Sequence, residues 1–260
     1  IVCNAAPMMA CDPAEAMTAA DSLLDSANAG RQVVIKEGPG GGSPMAPGNF
    51  GLLCTTDGSC GASAIGNALA ETTIDGCYDN LVVTSPGSKT MQVVNGTNNR
   101  FDKGNKNPKN PAPNVITYPR DTLLDSDPTA LMGDNDWDRA TYWSDKHSGA
   151  GVPGSLTGGS RYQFYLYELG ETFWVNGTRT IYPTSGSLPS GWTEVAGVLD
   201  IPVAVDPANA TDPDYDGEPE NIPVVDPKRR IVRVAVLNCL DLGVQGSGSY
   251  PTYGRFVEMF

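Results

Sequence analysis

From residue 231 to residue 239 the chain reads Ile-Val-Arg-Val-Ala-Val-Leu-Asn-Cys, its longest nearly unbroken β-favouring apolar run. A run of this kind, broken in charge by Arg233 alone, predicts a central buried strand. Asp226-Pro227 and Lys228-Arg229-Arg230 mark its entry, and the Gly-rich stretch 243–248 marks its exit. Upstream the apolar positions are grouped differently. Asp12-Pro13-Ala14-Glu15 reads as a helix start, with Asp12 as cap, Pro13 at the first helical position and Glu15 completing a capping box. The stripe Ala16, Ala19, Ala20, Leu23, Leu24 and Ala27 then predicts a helix that stops at Gly30. Residues 4–10 before it read as a short loop bracketed by Cys3 and Cys11.

The pattern predicts a short strand over 32–36 and a turn at Pro47-Gly48 entering a strand that ends at Cys54. A polar loop 55–59 follows, then an Ala-rich helix over 61–71 with Ile65, Ala68 and Leu69 on one face, and a strand over 81–84. Residues 103–113, rich in Lys, Asn and Pro, read as an exposed loop. Asp134 to Trp143, with aromatics at 137 and 143 and capping carboxylates, reads as a short helix ending near His147. Ser160 and Gln163 form a capping box, which favours helix over strand for the aromatic run 160–169. From Phe173 onward the chain reads as β elements divided by Gly, Pro and Ser turns, with an acidic loop at 206–226.

Composition agrees with many short elements, because 30 Gly and 21 Pro in 260 residues favour turns over long helices. The net charge of -13, from 30 acidic and 17 basic residues, opposes binding to nucleic acid or anionic membranes. The one tight basic cluster, 228–230, is too small for a nucleic-acid groove and reads as the solvated start of the strand.

Six cysteines, Cys3, Cys11, Cys54, Cys60, Cys77 and Cys239, form an even set without Cys-x-x-Cys spacing. Three disulfides in an oxidising compartment are the simplest account. Proximity in sequence pairs Cys3 with Cys11 and Cys54 with Cys60, which leaves Cys77 for Cys239. No window approaches the roughly 18 apolar residues that span a bilayer. The start Ile-Val-Cys-Asn has neither an initiator Met nor a signal peptide, so an export signal or membrane anchor is expected upstream of Ile1.

Gly38-Pro39-Gly40-Gly41-Gly42-Ser43 and Gly87-Ser88-Lys89-Thr90 both lack the Gly-Lys-Ser/Thr of a phosphate loop. The single histidine, His147, sits in a polar context and reads as a surface helix end rather than as a base or ligand. Motifs of metalloproteases and α/β-hydrolases do not occur, and the expectation is a protein that is not an enzyme. The best site is Asp212, Asp214, Asp216, Glu218 and Glu220, where alternating carboxylates followed by Gly217 suit a Ca²⁺ loop, against the alternative of a solvated acidic hairpin. Asp134, Asp136 and Asp138 repeat the alternation, but adjoining Trp137 and Arg139 favour capping and packing.

Seven stretches carry a family resemblance. They are Cys3-Asn4 with Pro7 to Pro13, Pro47 to Gly51, Asn99 to Asp102, Pro119-Arg120-Asp121, Trp137 to Ala140 with Tyr142-Trp143, Arg161-Tyr162 with Tyr165 to Glu168, and Arg229 to Cys239. In this order they resemble the secreted region of TadG-like proteins, of the bacterial Flp (tight adherence, Tad) pilus-assembly family. The resemblance implies an extracytoplasmic domain in the periplasm, envelope or cell surface, joined to an N-terminal membrane segment with a pilin-like start. It implies other envelope or pilus proteins, or self-assembly, as partners, and it brings no catalytic residues. The sequons at Asn95, Asn176 and Asn209 are then acceptors in form alone. The Cys54–Cys60 clip and the stretch 206–226 depart from the family pattern.

The expectation is an α+β, disulfide-stapled chain with short helices in the first two thirds and a β-rich C-terminal part around the buried strand 231–239. It forms a single extracytoplasmic domain over 1–260 with a sub-boundary near 103–115, and acts without catalysis in pilus assembly, adhesion or scaffolding. The rival is a secreted carbohydrate-active enzyme or lectin-like module, which a groove lined by Trp174 and Trp192 would favour.

Overall fold

The computed structural model describes residues 1–15, 18–34, 36–38, 43–71, 76–87, 89–99, 118–147, 149–168, 173–175, 178–180, 193–195, 198–200 and 231–259. In chain order the strands and helices of the first half are β1 (Val2–Cys3), β2 (Ala5–Cys11), β3 (Lys36–Glu37), β4 (Asn49–Leu52), α1 (Ala62–Ala70), β5 (Cys77–Tyr78), β6 (Leu81–Val83) and α2 (Thr90–Asn99). The remainder are α3 (Thr122–Ser126), α4 (Arg139–Lys146), α5 (Arg161–Glu168), β7 (Phe173–Val175), β8 (Thr178–Thr180), β9 (Thr193–Val195), β10 (Val198–Asp200), β11 (Val232–Leu237), β12 (Ser249–Pro251) and β13 (Phe256–Met259). The fold is a disulfide-stabilised mixture of α and β, with short helices earlier and strands richer later. Among the described residues no helix is long and apolar enough to cross a membrane.

Two compact units divide the chain: Ile1–Ala29, Val33–Asn110 and Lys228–Phe260 form the first, and Gly30–Gln32 with Pro111–Pro227 the second. The first is organised on a five-stranded sheet in the order β13-β11-β2-β4-β3. β11 pairs antiparallel with β13 and parallel with β2, β2 pairs antiparallel with β4, and β4 parallel with β3. The run predicted as a buried strand is therefore interior, and Val234 to Leu237 are inaccessible to solvent or nearly so. Because strand side chains alternate, odd-numbered Ala5, Met9, Cys11, Ala235 and Leu237 join one cluster with Leu53, Tyr78 and Val82. Even-numbered Ala10 and Val234 meet Phe50 on the other face, and Ala6 meets Ile65 and Leu69 of α1. Burial of each of those two α1 side chains stabilises the helix on the sheet by about 2 kcal/mol.

Helices α1 and α2 cross closely at two glycines. A Cβ added at Gly66 would lie 2.6 Å from the Gln92 carbonyl oxygen, and one at Gly96 would collide with the Gly66 carbonyl oxygen. The polar α2 has no sequence signal beyond its three apolar residues Met91, Val93 and Val94, and its place is set by this backbone approach.

Several expectations are corrected in this unit. Residues 4–10 are not a loop: Ala5–Cys11 is β2, with a neighbour on each side. Small buried residues and Pro7 left no alternation to read. The helix expected from Asp12 to Gly30 is replaced by three short 3-10 turns, Pro13–Glu15, Ala19–Asp21 and Ser26–Asn28. The Asp12 carboxylate is buried and accepts from Ala14 N–H, Ser22 Oγ–H and Leu23 N–H, so it folds the segment back on itself. Glu15 accepts from the N–H groups of Leu240 and Asp241 instead of closing a capping box. The short strand expected over 32–36 lies at Lys36–Glu37.

The disulfides are Cys3–Cys77, Cys11–Cys239 and Cys54–Cys60. The short clip agrees with the expectation, whereas the pairs 3–11 and 77–239 are wrong. Cys3 and Cys11 flank an extended strand that rises about 3.3 Å per residue, which carries them far beyond the bonding range of two cysteines. Register chooses the partners: Cys11 lies opposite Leu237, two residues before Cys239, and Cys3 lies opposite Cys77 across β1 and β5.

The second unit contains α3, α4, α5 and the antiparallel hairpins β7–β8 and β9–β10. The helix expected near 137–147 is α4, started by the Asp138 carboxylate accepting from Thr141 N–H at 2.9 Å. The aromatic run is the helix α5, and its capping box has both arms: Gln163 N–H donates to Ser160 Oγ at 3.3 Å and Ser160 N–H to Gln163 Oε1 at 2.7 Å. The loop expected over 103–113 and the acidic loop 206–226 lie outside the described residues.

Candidate functional site

In the second unit the starts of three helices bring charge onto one aromatic ring. Asp121 is the N-cap of α3, Trp137 and Arg139 stand at the start of α4, and Arg161 opens α5. Asp121 is completely buried, and its carboxylate accepts N–H bonds from Leu123 at 3.1 Å, Asp134 at 3.3 Å and Asn135 at 2.8 Å. Asn135 has a left-handed φ of 67°, which suits a residue turning its amide toward that acceptor. The backbone N–H of Asp121 donates to Gln32 Oε1 at 2.9 Å, fastening residue 32 to this unit.

Both guanidinium groups lie over Trp137, at 5.1 Å for Arg139 and 5.2 Å for Arg161. Arg139 Nε–H donates to the Gly159 carbonyl at 2.8 Å and its Nη2 to the Asn135 carbonyl, while Arg161 Nε–H donates to the Pro119 carbonyl at 2.8 Å. Trp137 Nε1–H also donates to Gly159, and the ring packs edge-on against Phe164 with centroids 4.8 Å apart. Burial pulls both arginines below the ordinary guanidinium value. Asp121 opposes that pull on each, Asp136 opposes it on Arg139, and Arg139 adds to it on Arg161. Both remain cations, because guanidinium is always protonated in proteins. Among the described residues the buried Nη1 and Nη2 of Arg161 and Oδ1 of Asn135 have no hydrogen-bond partner. The π face of Trp137 and the charge of Asp121 therefore stabilise the Arg161 cation.

The arrangement holds the strings 119–121, 133–137 and 158–161 in fixed relation. The hydrogen bonds it makes run to backbone carbonyls and amides, the pattern of a structural fastening. Gly133 takes part by its size, since a Cβ there would run into the Asp121 carboxylate. Sequence reading passed over Asp121 and Arg161 as chemistry. Their signal was the stretches Pro119-Arg120-Asp121 and Arg161-Tyr162, noticed for resemblance and not for charge.

The other sequence candidates fall as follows. Asp138 caps α4 by accepting from Thr141 N–H, whereas Asp134 Oδ1 accepts from Asp136 N–H at 3.0 Å in a turn ahead of the helix. Among the described residues no group of three or more His, Cys, Asp or Glu could hold a metal ion. His147 ends α4 as expected, but it is 1% exposed and not a surface residue. Its ring stacks on Trp143 with centroids 3.7 Å apart, and that stacking supplies the apolar environment its polar sequence neighbours hid. Asp212, Asp214, Asp216, Glu218 and Glu220, and with them the calcium expectation, lie outside the described residues, as does Trp192. All six cysteines are within them and all are bonded.

No family model matches the chain, and neither a curated protein nor a solved structure matches it.

Proposed function

We propose that the chain is a non-enzymatic scaffold of the bacterial cell envelope, similar to TadG-like pilus-assembly components, that works outside the cytoplasm in pilus assembly or adhesion. The observation that carries this reading is the Cys11–Cys239 bond, which joins the end of β2 to the turn two residues past β11 in a buried position across a sequence separation of 228. A bond of this kind forms and persists where thiols are oxidised, in the periplasm or beyond it. The resembling stretches support the same reading by where they lie. Those at Pro7 to Pro13, Pro47 to Gly51 and 231–239 supply β2, β4 and β11, and those at Pro119 to Asp121, Trp137 to Ala140 and Arg161-Tyr162 supply the arginine and tryptophan fastening.

The partners are other envelope or pilus proteins, or further copies of this chain. Reversible crosslinking in cells, followed by purification under native conditions, tests this. Envelope or pilus-assembly proteins, or a ladder of self-crosslinked copies, are expected in the extracytoplasmic fraction. Recovery of uncrosslinked chain in the cytoplasm, or saturable binding to an oligosaccharide array with no protein partner, contradicts the proposal.

A further inference from the structure

We propose that Cys3–Cys77 is a thiol–disulfide exchange site, open to attack by a dithiol of the Cys-x-x-Cys class, while the other two bonds act as fixed staples. The three bonds differ in access. Cys3 and Cys77 are both exposed, Cys11 and Cys239 are both buried, and Cys54–Cys60 has one exposed and one buried end. Exchange requires a thiolate to reach a disulfide sulfur, so access separates the first bond from the second.

The exposed bond and the short clip differ in what holds their ends together once the sulfurs part. Around Cys54 and Cys60 the loop is closed by Thr55 N–H to the Ser59 carbonyl at 2.9 Å, by Thr55 Oγ1–H to the same carbonyl, and by Ser59 N–H to Asp57 Oδ1 at 3.0 Å. These bonds keep the two thiols adjacent and favour reclosure. Cys3 and Cys77 face each other in a ladder of two residue pairs, Val2 with Tyr78 and Cys3 with Cys77. Asn4, at a left-handed φ of 56°, separates that ladder from β2. Opening the bond leaves β1 held to β5 by that two-pair ladder and to β11 by the Arg233 Nη1–H bond to the Cys3 carbonyl at 3.2 Å, while β2 stays paired with β11 and β4 and bonded through Cys11.

The exchange balances with a dithiol as reductant. One of its thiolates attacks Cys3 or Cys77, the S–S bond breaks, and the displaced thiolate takes up a proton. Its second thiol then attacks the mixed disulfide, leaving Cys3 and Cys77 reduced and the dithiol oxidised by two electrons.

The test uses the full oxidised chain with dithiothreitol at increasing concentration, quenched by a maleimide and mapped by peptide mass. Cys3 and Cys77 should be labelled at least about tenfold faster than the other four cysteines, with unchanged far-UV circular dichroism. A Cys-x-x-Ser trap protein should be captured on Cys3 or Cys77. Equal labelling of Cys60 or Cys239, labelling of Cys3 only as the chain unfolds, or capture of the trap on Cys54 or Cys60, overturns the proposal. The double variant Cys3→Ser/Cys77→Ser should lose the fast phase and keep the slow ones. The unaltered chain decides the matter if that variant does not fold.

Discussion

A carboxylate without solvent contact must have its oxygens engaged, and Asp121 engages them on three backbone amides beside two guanidinium groups. Asp121→Ala would orphan those amides and leave Arg161 without its counter-charge, while Arg139 keeps Asp136. The expected cost is about 3 kcal/mol, read as a lower midpoint in urea unfolding. Gly133→Ala acts on the same carboxylate by collision, since its Cβ would meet Asp121 Oδ1 at 2.6 Å, and is expected to cost about 1–3 kcal/mol. An unchanged midpoint in both variants would show that the fastening contributes nothing. Asp138 offers a pH test. The Thr141 backbone N–H, helped by the Thr141 side chain, holds its carboxyl below the ordinary 3.8. A depressed folded value means its contribution is fully present above about 3.8 and is lost as pH falls through the folded value. Asp138→Asn should lower stability across the neutral range, where the ionised cap contributes, and flatten the acid arm of the profile below pH 4, measured by thermal unfolding across that span.

Elements whose signals are local were legible. Helix α5 was readable because Ser160 and Gln163 satisfy each other's backbone amides three residues apart. Ser160→Ala should lower stability by about 1 kcal/mol, checked by chemical denaturation. The helix expected from Asp12 failed for the opposite reason. The same residue types were present, but their partners are distant: Leu23 for Asp12, and Leu240 and Asp241 for Glu15. Strand β2 was illegible because burial on both faces removes the alternation that marks a half-exposed strand, and Ala, Met and Pro carry little β preference of their own. The α1–α2 crossing depends on the absence of side chains, a property that sequence periodicity does not report. Gly96→Ala is expected to force the helices apart at a cost of about 1–3 kcal/mol, visible as a lower Tm.

At the scale of the whole chain, the cysteines state that the protein is stapled while strand register states how. The run 231–239 reads as a buried strand whose cysteine ties the last quarter of the chain to the first third, and Cys239, two residues past β11, does so through Cys11 instead of Cys77. The partner was misassigned because pairing by sequence proximity presumes a loop where β2 runs. In the chain-entropy account the bond across 228 residues contributes about 5 kcal/mol, against roughly 2 for the clip across 6. The double variant Cys11→Ser/Cys239→Ser should therefore lose far more stability than Cys54→Ser/Cys60→Ser. The most direct measurement is peptide mapping of the oxidised chain without reduction, since it reads the register of β1, β2 and β11 at once. Crosslinked peptides joining Cys3 to Cys77, Cys11 to Cys239 and Cys54 to Cys60 are expected, and peptides joining Cys3 to Cys11 together with Cys77 to Cys239 would contradict the fold.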